Sequence, residues 1–289
     1  MFLRVVHLSR YDYSSAVSFA PHALYLRPRE TQRQRLHQFD LAVSPAGRRI
    51  ATNDAEDNAL DWIYFDAATT SSRLEIRSEF LVETLDTNPF DFFLEPHALK
   101  TPFTYTPADT FTLGPCFALP RGAEPAQLQT WLATHLPDPP SDTIAFLSAL
   151  NSAVHAALAY GRRAEPGIQT PAETIARCGG SCRDYAVLLI ALCRHLGIAA
   201  RFVSGYLHEP PDPALANPLP PDMHAWAEVY LPGAGWRGLD STRGIFCDDR
   251  FVAVAHSALA ESVNPVQGRF FSPTPATSQL TTHLTIDGL

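Results

Sequence analysis

The first part of the chain alternates apolar and polar residues in short runs, the pattern of half-buried β-strands. Four such runs read FLRVVHLSR, RLHQFDLAV, LDWIYFDA and RLEIRSEFLVET, and the segments SPAGRR and TNDAEDN between them are rich in turn-forming residues. Strands at this spacing, with no helical pattern between them, are typical of a small β-sandwich. We predict a β-sandwich-like N-terminal domain over residues 1–85, and we find no catalytic cluster in its sequence.

The pattern changes to a helical period after residues 86–122, whose many prolines and aromatic residues predict a connecting segment on the surface. Apolar residues three or four positions apart predict helices over EPAQLQTWLATHL and SDTIAFLSALNSAVHAALAYG. Thr170, Pro171 and Glu173 predict the start of a further helix that ends at Cys178, because they provide an N-cap, a first-turn proline and a capping-box acid.

A continuous apolar run from Ala186 to Cys193 predicts a buried helix, which Gly197 is placed to cap. Three strands follow, with the sequences ARFVSGYL, HAWAEVYL and WRGLDST. The expected fold class is therefore α+β, with this helix packed on an antiparallel sheet, and we assign residues 123–289 to one core domain. The first two strands are joined by the loop 208–223, whose six prolines predict a stiff segment.

The composition excludes several classes of protein. The 289 residues carry a formal net charge of -8, whereas nucleic-acid binding requires clustered positive charge. No apolar stretch reaches the roughly 18 residues that span a bilayer, and the N-terminus lacks the apolar core and cleavage site of a signal peptide. We expect a cytoplasmic protein that binds neither nucleic acid nor membrane. Its five cysteines, an odd number, do not predict a disulfide framework.

The sequence GGSCRDYAVLLIALC places a cysteine where a glycine-rich loop meets the buried helix. There Cys182 faces unpaired backbone N–H groups and the positive end of the helix dipole, and both stabilise a thiolate over a thiol. Gly179 and Gly180 allow the backbone to turn sharply and leave the sulfur uncovered. We infer that Cys182 is a nucleophile on a rigid element, and that Asp184 stabilises the first helical turn.

A nucleophilic thiol needs a base, and the base needs an orienting group. His224 begins the strand that follows the proline-rich loop, and Asp240 lies near the end of the next strand. If these strands are antiparallel neighbours, the start of one lies beside the end of the other, and the two side chains meet. Cys182, His224 and Asp240 then form a triad for acyl transfer.

Two longer segments, GGSCRDYAVLLIALCRHLGIAARFVSGYL and DMHAWAEVYLPGAGWRGLDSTRG, contain these three residues in order. They resemble the core of the bacterial transglutaminase-like superfamily, and the β-rich segment before them resembles the N-terminal region often fused to it. The resemblance implies a papain-like fold, with Cys182 as nucleophile, His224 as base and Asp240 as orienting acid. Two features depart from the family pattern, and neither is expected to touch the triad. Ser181 replaces a small apolar residue, and DSTRG replaces the common DPTNG, so that Arg243 is expected to alter the rim of the site.

The resemblance implies attack on an amide or ester carbonyl, although its members include cross-linking transferases, proteases, amidases and inactive relatives. We predict a thiol-dependent acyl-transfer enzyme that acts on a peptide or protein substrate, with no cofactor and no metal. Hydrolysis is favoured over amine transfer because no sequence feature marks an amine site. Protein-glutamine cross-linking and a catalytically silent peptide-binding module are the alternatives. The oligomeric state is not predicted.

Further residues are candidates for supporting roles. The backbone N–H of Cys182 and the side chain of Tyr160 are candidate oxyanion donors, with a packing role as the alternative for Tyr160. Trp226 is expected to pack around the triad or line the cleft. Glu228 shares the strand face of His224 and is a candidate supporting residue behind the triad.

Cys178 and Cys182 form a C-x3-C pair whose chemistry the sequence leaves partly open. A zinc site is disfavoured because the next ligands, Cys193 and His195, lie far along the helix. A disulfide between Cys178 and Cys182 that switches the enzyme off remains an alternative. The loop 208–223 leads directly into the base, and we expect it to control access to the site.

We predict that Cys182 is the thiol alkylated fastest in the native protein, because only this cysteine combines a helix start with a basic partner. Iodoacetamide labelling near neutral pH, followed by peptide mass mapping, measures the order of reaction. Faster labelling of Cys116 or Cys247, with Cys182 inert, would contradict the assignment of the nucleophile.

Overall fold

The computed structural model describes residues 1–163, 167–209 and 221–289. Two β-sheets form the N-terminal part, and helices packed on an antiparallel sheet form the part that follows, so the predicted α+β class is confirmed. Residues 210–220 of the predicted access loop lie outside the described residues, and the role of that loop stays a prediction. Within the described ranges, no helix is both long and apolar enough to cross a membrane.

The alternating runs of the first 84 residues form six strands: β1 (Phe2–Phe19), β2 (His22–Leu24), β3 (Gln34–Ser44), β4 (Arg48–Asn53), β5 (Ala59–Tyr64) and β6 (Thr70–Thr84). β1, β6 and β3 pair in one antiparallel sheet, and β2, β5 and β4 pair in another. Val17 and Leu74 of the first sheet share a buried cluster with Leu24 and Ile63 of the second. The apolar faces are therefore packed together, as a β-sandwich requires.

The connecting segment contains only one short helix, α1 (Pro107–Thr112), and two 3-10 turns. Four helices follow it: α2 (Pro125–His135), α3 (Thr143–Ala157), α4 (Pro171–Arg177) and α5 (Cys182–His195). α4 begins with the predicted capping box of Thr170 and Glu173. α3 ends earlier than its apolar pattern predicts. The next residues form β7 (Ala159–Tyr160), which pairs in parallel with β8 (Gly179–Gly180), so extended backbone hydrogen bonds replace helical ones.

The core sheet contains five antiparallel strands in the order β12-β11-β10-β9-β13. Their bounds are β9 (Ala200–Leu207), β10 (Met223–Leu231), β11 (Gly235–Asp240), β12 (Ile245–Phe246) and β13 (Phe251–Ser257). α5 lies against β10 and β9, where Ala225, Ala227 and Val229 belong to the same buried cluster as the apolar residues of the helix. Alternate residues of β10 thus face the helix, and His224 is the first of the residues that face the opposite side of the sheet.

α5 is enclosed on nearly every side, because α2, α3 and α4 also pack against it. All its residues except Arg183 and His195 are buried. An amphipathic helix would expose one polar face, whereas the part of α5 from Ala186 to Cys193 is apolar on every side, which explains the unbroken apolar run in its sequence. Burial of the whole helix gives its N-terminus a rigid support.

The end of the chain returns to the N-terminal sheets. β14 (Val266–Gln267) pairs with β2, while β15 (Phe270–Phe271) and β16 (Ser278–Gly288) pair with β1. We assigned all of residues 123–289 to the core domain, but these last strands belong to the sandwich sheets. The sequence pattern does not predict the return of these strands, because pairing between residues so far apart in the chain leaves no local signal.

We predict that Gly205→Ala strongly destabilises the protein. A Cβ at Gly205 in β9 would overlap the carbonyl oxygen of Val252 and lie 2.7 Å from the Trp226 ring. Such overpacking costs roughly 1–3 kcal/mol or more of unfolding free energy. Urea unfolding measures it, with Gly114→Ala as control because a Cβ there meets no atom within 4 Å. Equal stability of the two variants would contradict the packing described.

Candidate active site

The first turn of α5 is held by a buried carboxylate. Asp184 Oδ2 accepts hydrogen bonds from the backbone N–H of Ser181 at 2.8 Å and from its hydroxyl at 2.9 Å. The Gln169 N–H donates to Oδ1 at 2.7 Å, and Arg163 forms an ion pair with Oδ2 at 2.8 Å. Burial opposes the charge of Asp184, but Arg163 and these donors outweigh it and hold its pKa below the ordinary value. The expected helix-stabilising role of Asp184 agrees with these contacts, and they orient the turn that carries Cys182.

The two glycines before the cysteine are required by close backbone approach. A Cβ at Gly180 would lie 2.7 Å from the Cβ of Asp184, and one at Gly179 would lie 2.7 Å from the carbonyl oxygen of Ala159. The left-handed residue of this turn is instead Cys178, with φ 48°. The expectation that the glycines make the sharp turn is wrong, because their main effect is to let β8 pack against both β7 and α5.

His224 and Asp240 meet at one end of the core sheet. β10 and β11 are antiparallel with Ala227 opposite Leu239, so Asp240 stands at the end of its strand and His224 lies diagonally across from it. His224 Nε2 is 2.9 Å from Asp240 Oδ2. The imidazole is 8% exposed and the carboxylate is fully buried.

The second oxygen of Asp240 is also fully bonded. The backbone N–H of Thr242 donates to Oδ1 at 2.8 Å and its hydroxyl donates at 2.7 Å. Arg243 Nη1 lies 3.5 Å from Oδ2, on the solvent side of the pair. Burial would raise the pKa of Asp240, but His224, Thr242 and Arg243 together hold it below its ordinary value. Asp240 is therefore a fixed anion that orients the imidazole.

The thiol of Cys182 completes the cluster. Cys182 is the first residue of α5 and is buried, with 9% of its surface exposed. Burial disfavours the charged form of His224, but hydrogen bonds to Asp240 and Cys182 and their negative charge outweigh burial and raise its pKa to about 9. Asp240 binds Nε2 of the ring, and the same imidazole lies within hydrogen-bonding reach of the Cys182 thiol. The three side chains thus form a chain from sulfur through imidazole to carboxylate.

Tyr160 lies beside this cluster on β7, and not on a helix. Its backbone pairs with Gly180, two residues before the thiol, and its ring packs edge-on against Tyr185 with centroids 6.0 Å apart. Burial, with a smaller contribution from the negative charge of Cys182, raises the pKa of Tyr160 to about 12. Its hydroxyl keeps its proton at neutral pH, so the side chain can donate a hydrogen bond near the sulfur.

Comparisons with known proteins agree with this arrangement. Residues 132–241 match the transglutaminase-like superfamily, and residues 3–83 match the bacterial transglutaminase-like N-terminal region. The chain belongs to the transglutaminase-like superfamily. The two matched ranges cover more than half of it, and the core match contains Cys182, His224 and Asp240. Membership supports a thiol-dependent enzyme of the transglutaminase-like kind.

Relatives resemble the chain over nearly its full length. An uncharacterized protein of Mycobacterium tuberculosis is 29% identical over 93% of this chain and 87% of its own, and one of Mycobacterium leprae is 25% identical over 92% of each. A crystal structure of a candidate cysteine protease from Cytophaga hutchinsonii has a TM-score of 0.74 at 20% identity, and covers 99% of this chain and 90% of that one. The last comparison shows that the transglutaminase-like core and the β-rich part occur together in a solved fold.

Of the other predicted site residues, Trp226 lies next to His224 and Glu228 does not. Trp226 stacks beside His224, with ring centroids 6.3 Å apart, and packs edge-on against Phe251. Glu228 is oriented elsewhere: its carboxylate forms an ion pair with Arg201 at 2.6 Å. The pairing of β10 with β9 places Arg201 directly opposite Glu228, so the carboxylate has a partner other than the imidazole. Its supporting role at the triad stays a prediction.

Thr242 and Arg243, which follow Asp240 closely in the chain, make contacts at the site that no sequence motif predicted. Thr242 binds Asp240 through a turn in which a carboxylate accepts from the backbone two residues later, a pattern that Asp-x-Thr favours. Arg243 connects the triad to the rim, since it faces Asp240, bonds Thr242 Oγ1 at 2.9 Å and pairs with Glu209. The expectation that neither departure from the family pattern touches the triad is wrong for Arg243, because its guanidinium lies 3.5 Å from the Asp240 carboxylate.

All five cysteines are free thiols in this structure. Cys193 is fully buried in α5, as expected, and Cys178 is exposed at the C-cap of α4. In the described ranges, no group of three or more histidine, cysteine or carboxylate side chains is arranged to hold a metal ion. A Cys178–Cys182 disulfide switch stays an alternative.

We predict that His224 makes stability depend on pH in the alkaline range. Its pKa of about 9 lies above the ordinary value of 6.5, so its stabilising contribution is complete below about pH 6.5 and is lost as the pH rises through 9. The difference in unfolding free energy between the parent and His224→Gln should shrink by on the order of 3 kcal/mol over that range.

Urea unfolding at several pH values measures this difference. His283→Gln is the control, because His283 is exposed on β16. Parallel pH profiles for the parent and His224→Gln would contradict a charged imidazole in the folded state.

Proposed function

We propose that the protein hydrolyses peptide or amide bonds through a thioester, with Cys182 as nucleophile, His224 as base and Asp240 as the group that orients the base. The observation that supports this most is the contact of all three side chains at the N-terminus of α5. In this class of reaction the nucleophile, base and orienting group act as one unit. The proposed partner is a peptide or protein substrate.

The first half of the proposed reaction forms the thioester. The sulfur electron pair attacks the carbonyl carbon, and the carbonyl π pair moves to oxygen while His224 holds the thiol proton. When the tetrahedral intermediate collapses, the carbon–nitrogen bond breaks, and the leaving amine takes the proton from His224. The acyl group is then bound to Cys182. Asp240 keeps the ring oriented and compensates its positive charge.

The second half releases the acyl group to water. His224 accepts a proton from water as the oxygen attacks the thioester carbon, and a second tetrahedral intermediate forms. Its collapse breaks the carbon–sulfur bond and releases a carboxylic acid, and the sulfur with the protonated His224 is restored. No cofactor enters this balance of atoms and charge.

Two donors near the sulfur support stabilisation of the oxyanion. The N–H of Cys182 is at a helix start, where the first N–H groups have no partner within the helix. The Tyr160 hydroxyl, whose pKa of about 12 keeps it protonated, is a second donor close to the thiol. Donors fixed before reaction stabilise developing negative charge without reorganisation, which lowers the barrier.

Hydrolysis is preferred to amine transfer on the chemistry that transfer requires. A transferase must bind an amine beside the thioester and protect the thioester from water. Of the carboxylates that flank the loop before His224, Glu209 is already paired with Arg243. Cross-linking of protein glutamine and a silent peptide-binding module remain the alternatives that the experiment separates.

We predict that a glutamine peptide offered with a fluorescent primary amine releases more ammonia than it incorporates amine. Cys182→Ser and His224→Ala should each lower the rate by roughly 10³-fold or more, because nucleophile and base act together. Asp240→Asn should retain measurable activity, since the base survives in a poorer orientation. Steady-state ammonia release and amine incorporation measure both quantities.

Cys178→Ser is the matched control, because this exposed thiol precedes Cys182 by four residues and should be dispensable. Amine incorporation that exceeds hydrolysis would favour the transferase. Full activity of His224→Ala would contradict the triad, and inactivity of the parent on peptides, amides and esters would favour the silent module.

A further inference from the structure

A cleft of about 540 Å³ lies between β16 and the segments that flank the candidate active site. This volume is in the range of roughly 300–1,000 Å³ that ligand sites occupy. One side consists of Arg162, Pro221 and Asp222, and the other side consists of residues 282–287 of β16. The strand in this cleft therefore belongs to the N-terminal sandwich and not to the core sheet.

The cleft lies near the candidate active site, because its lining residues are close in the chain to residues of that site. Arg162 follows Tyr160 by two residues, and Asp222 precedes His224 by two, a distance of about 7 Å of extended chain. The charges of Arg162, Asp222 and Cys182 all act on the Tyr160 hydroxyl. Arg162 and Asp222 of the cleft are therefore close neighbours of Tyr160 and His224 along the chain.

β16 presents its backbone to this cleft. Six consecutive residues of the strand line it, which a strand does along its edge, whereas a strand face would contribute alternate residues. Leu289 N–H donates to Phe2 and Ser14 N–H donates to Thr277, so odd-numbered residues of β16 bond to β1 across the antiparallel ladder. The N–H and C=O groups of Thr282, Leu284 and Ile286 consequently point away from β1.

This edge lacks the features that usually prevent strand pairing. Edge strands are protected by proline, lysine or a bulge. β16 has the sequence SQLTTHLTIDG and pairs with β1 in an uninterrupted register over its whole length. The opposite edge of the same sheet, β3, contains a register shift between Leu36 and Gln38. Among the described residues, no strand pairs with the outer edge of β16.

We propose that an extended segment of the substrate polypeptide pairs as an added strand with the outer edge of β16 and that this pairing delivers its scissile bond to Cys182. The inference rests on the proposed function and specifies its substrate class: an unfolded or loop segment of a polypeptide, recognised through its backbone. Recognition by backbone hydrogen bonds tolerates many side chains. It also assigns the N-terminal sandwich a role in substrate binding.

The first test compares Thr282→Pro with Thr282→Ala. The Thr282 N–H points outward and its side chain is exposed, so proline removes one donor for the added strand while the ladder with β1 stays complete. Thr282→Pro should lower kcat/KM for unfolded carboxymethylated casein about tenfold, since it removes a hydrogen bond and blocks the neighbouring strand. Thr282→Ala should match the parent.

Two control measurements distinguish a loss of strand pairing from a general structural defect: hydrolysis of p-nitrophenyl acetate and iodoacetamide labelling of Cys182. A general structural defect would lower both. Both should stay within about twofold of the parent in Thr282→Pro, because small reagents do not reach the strand edge. An unchanged kcat/KM for casein in Thr282→Pro would overturn the inference.

Amide hydrogen exchange in Cys182→Ser tests whether a peptide pairs with the edge of β16 when it is not cleaved. This measurement decides between the outcomes if Thr282→Pro proves to be generally impaired. A casein-derived peptide should protect the amides of Thr282, Leu284 and Ile286, whereas those of Thr281, His283 and Thr285 are protected already. Absence of new protection would overturn the inference, as would protection before peptide is added, whether from this chain or from a second copy. Protection together with casein cleavage that survives Cys182→Ser would refute the proposed nucleophile and leave the binding edge in place.

Discussion

Burial of α5 on all sides is the constraint on which the candidate site depends. The helix is held by the core sheet on one side and by α2, α3 and α4 on the others, so its N-terminus cannot shift without disturbing close-packed side chains. Cys182 is the first residue of that helix, and His224 begins a strand packed against it. The geometry of the thiol and imidazole is thus a consequence of core packing and not of a mobile loop.

Two buried carboxylates hold the groups of the candidate site in place. Asp184 binds the backbone around the first turn of α5, and Asp240 binds His224 and Thr242. A buried charge without partners is strongly destabilising, so each of these anions requires the donors around it. Because all donors come from segments next to the site, loss of one would disturb both folding and the orientation of the thiol or imidazole. Stability and proposed catalysis share the same contacts.

Much of the fold and of the candidate site follows from local sequence. The alternating runs predict the N-terminal strands, Thr170 and Glu173 predict the start of α4, and the apolar run predicts that α5 is buried. These features are readable because strand alternation, capping and helical burial each depend on residues a few positions apart. The glycine-rich approach to Cys182 is local in the same way, whereas the meeting of His224 and Asp240 depends on the antiparallel pairing of two successive strands.

The tertiary structure decides what depends on residues far apart in the chain. Nothing local in the sequence indicates that β16 returns to pair with β1, or that Glu228 faces Arg201. The need for Gly180 likewise arises from the approach of β8 to Asp184. Strand partners and close approaches are selected by the free energy of the whole packed molecule, which a sequence window does not contain. The sequence by itself determined which residues can react, and the long-range pairing decided which of them meet and which surface lies beside them.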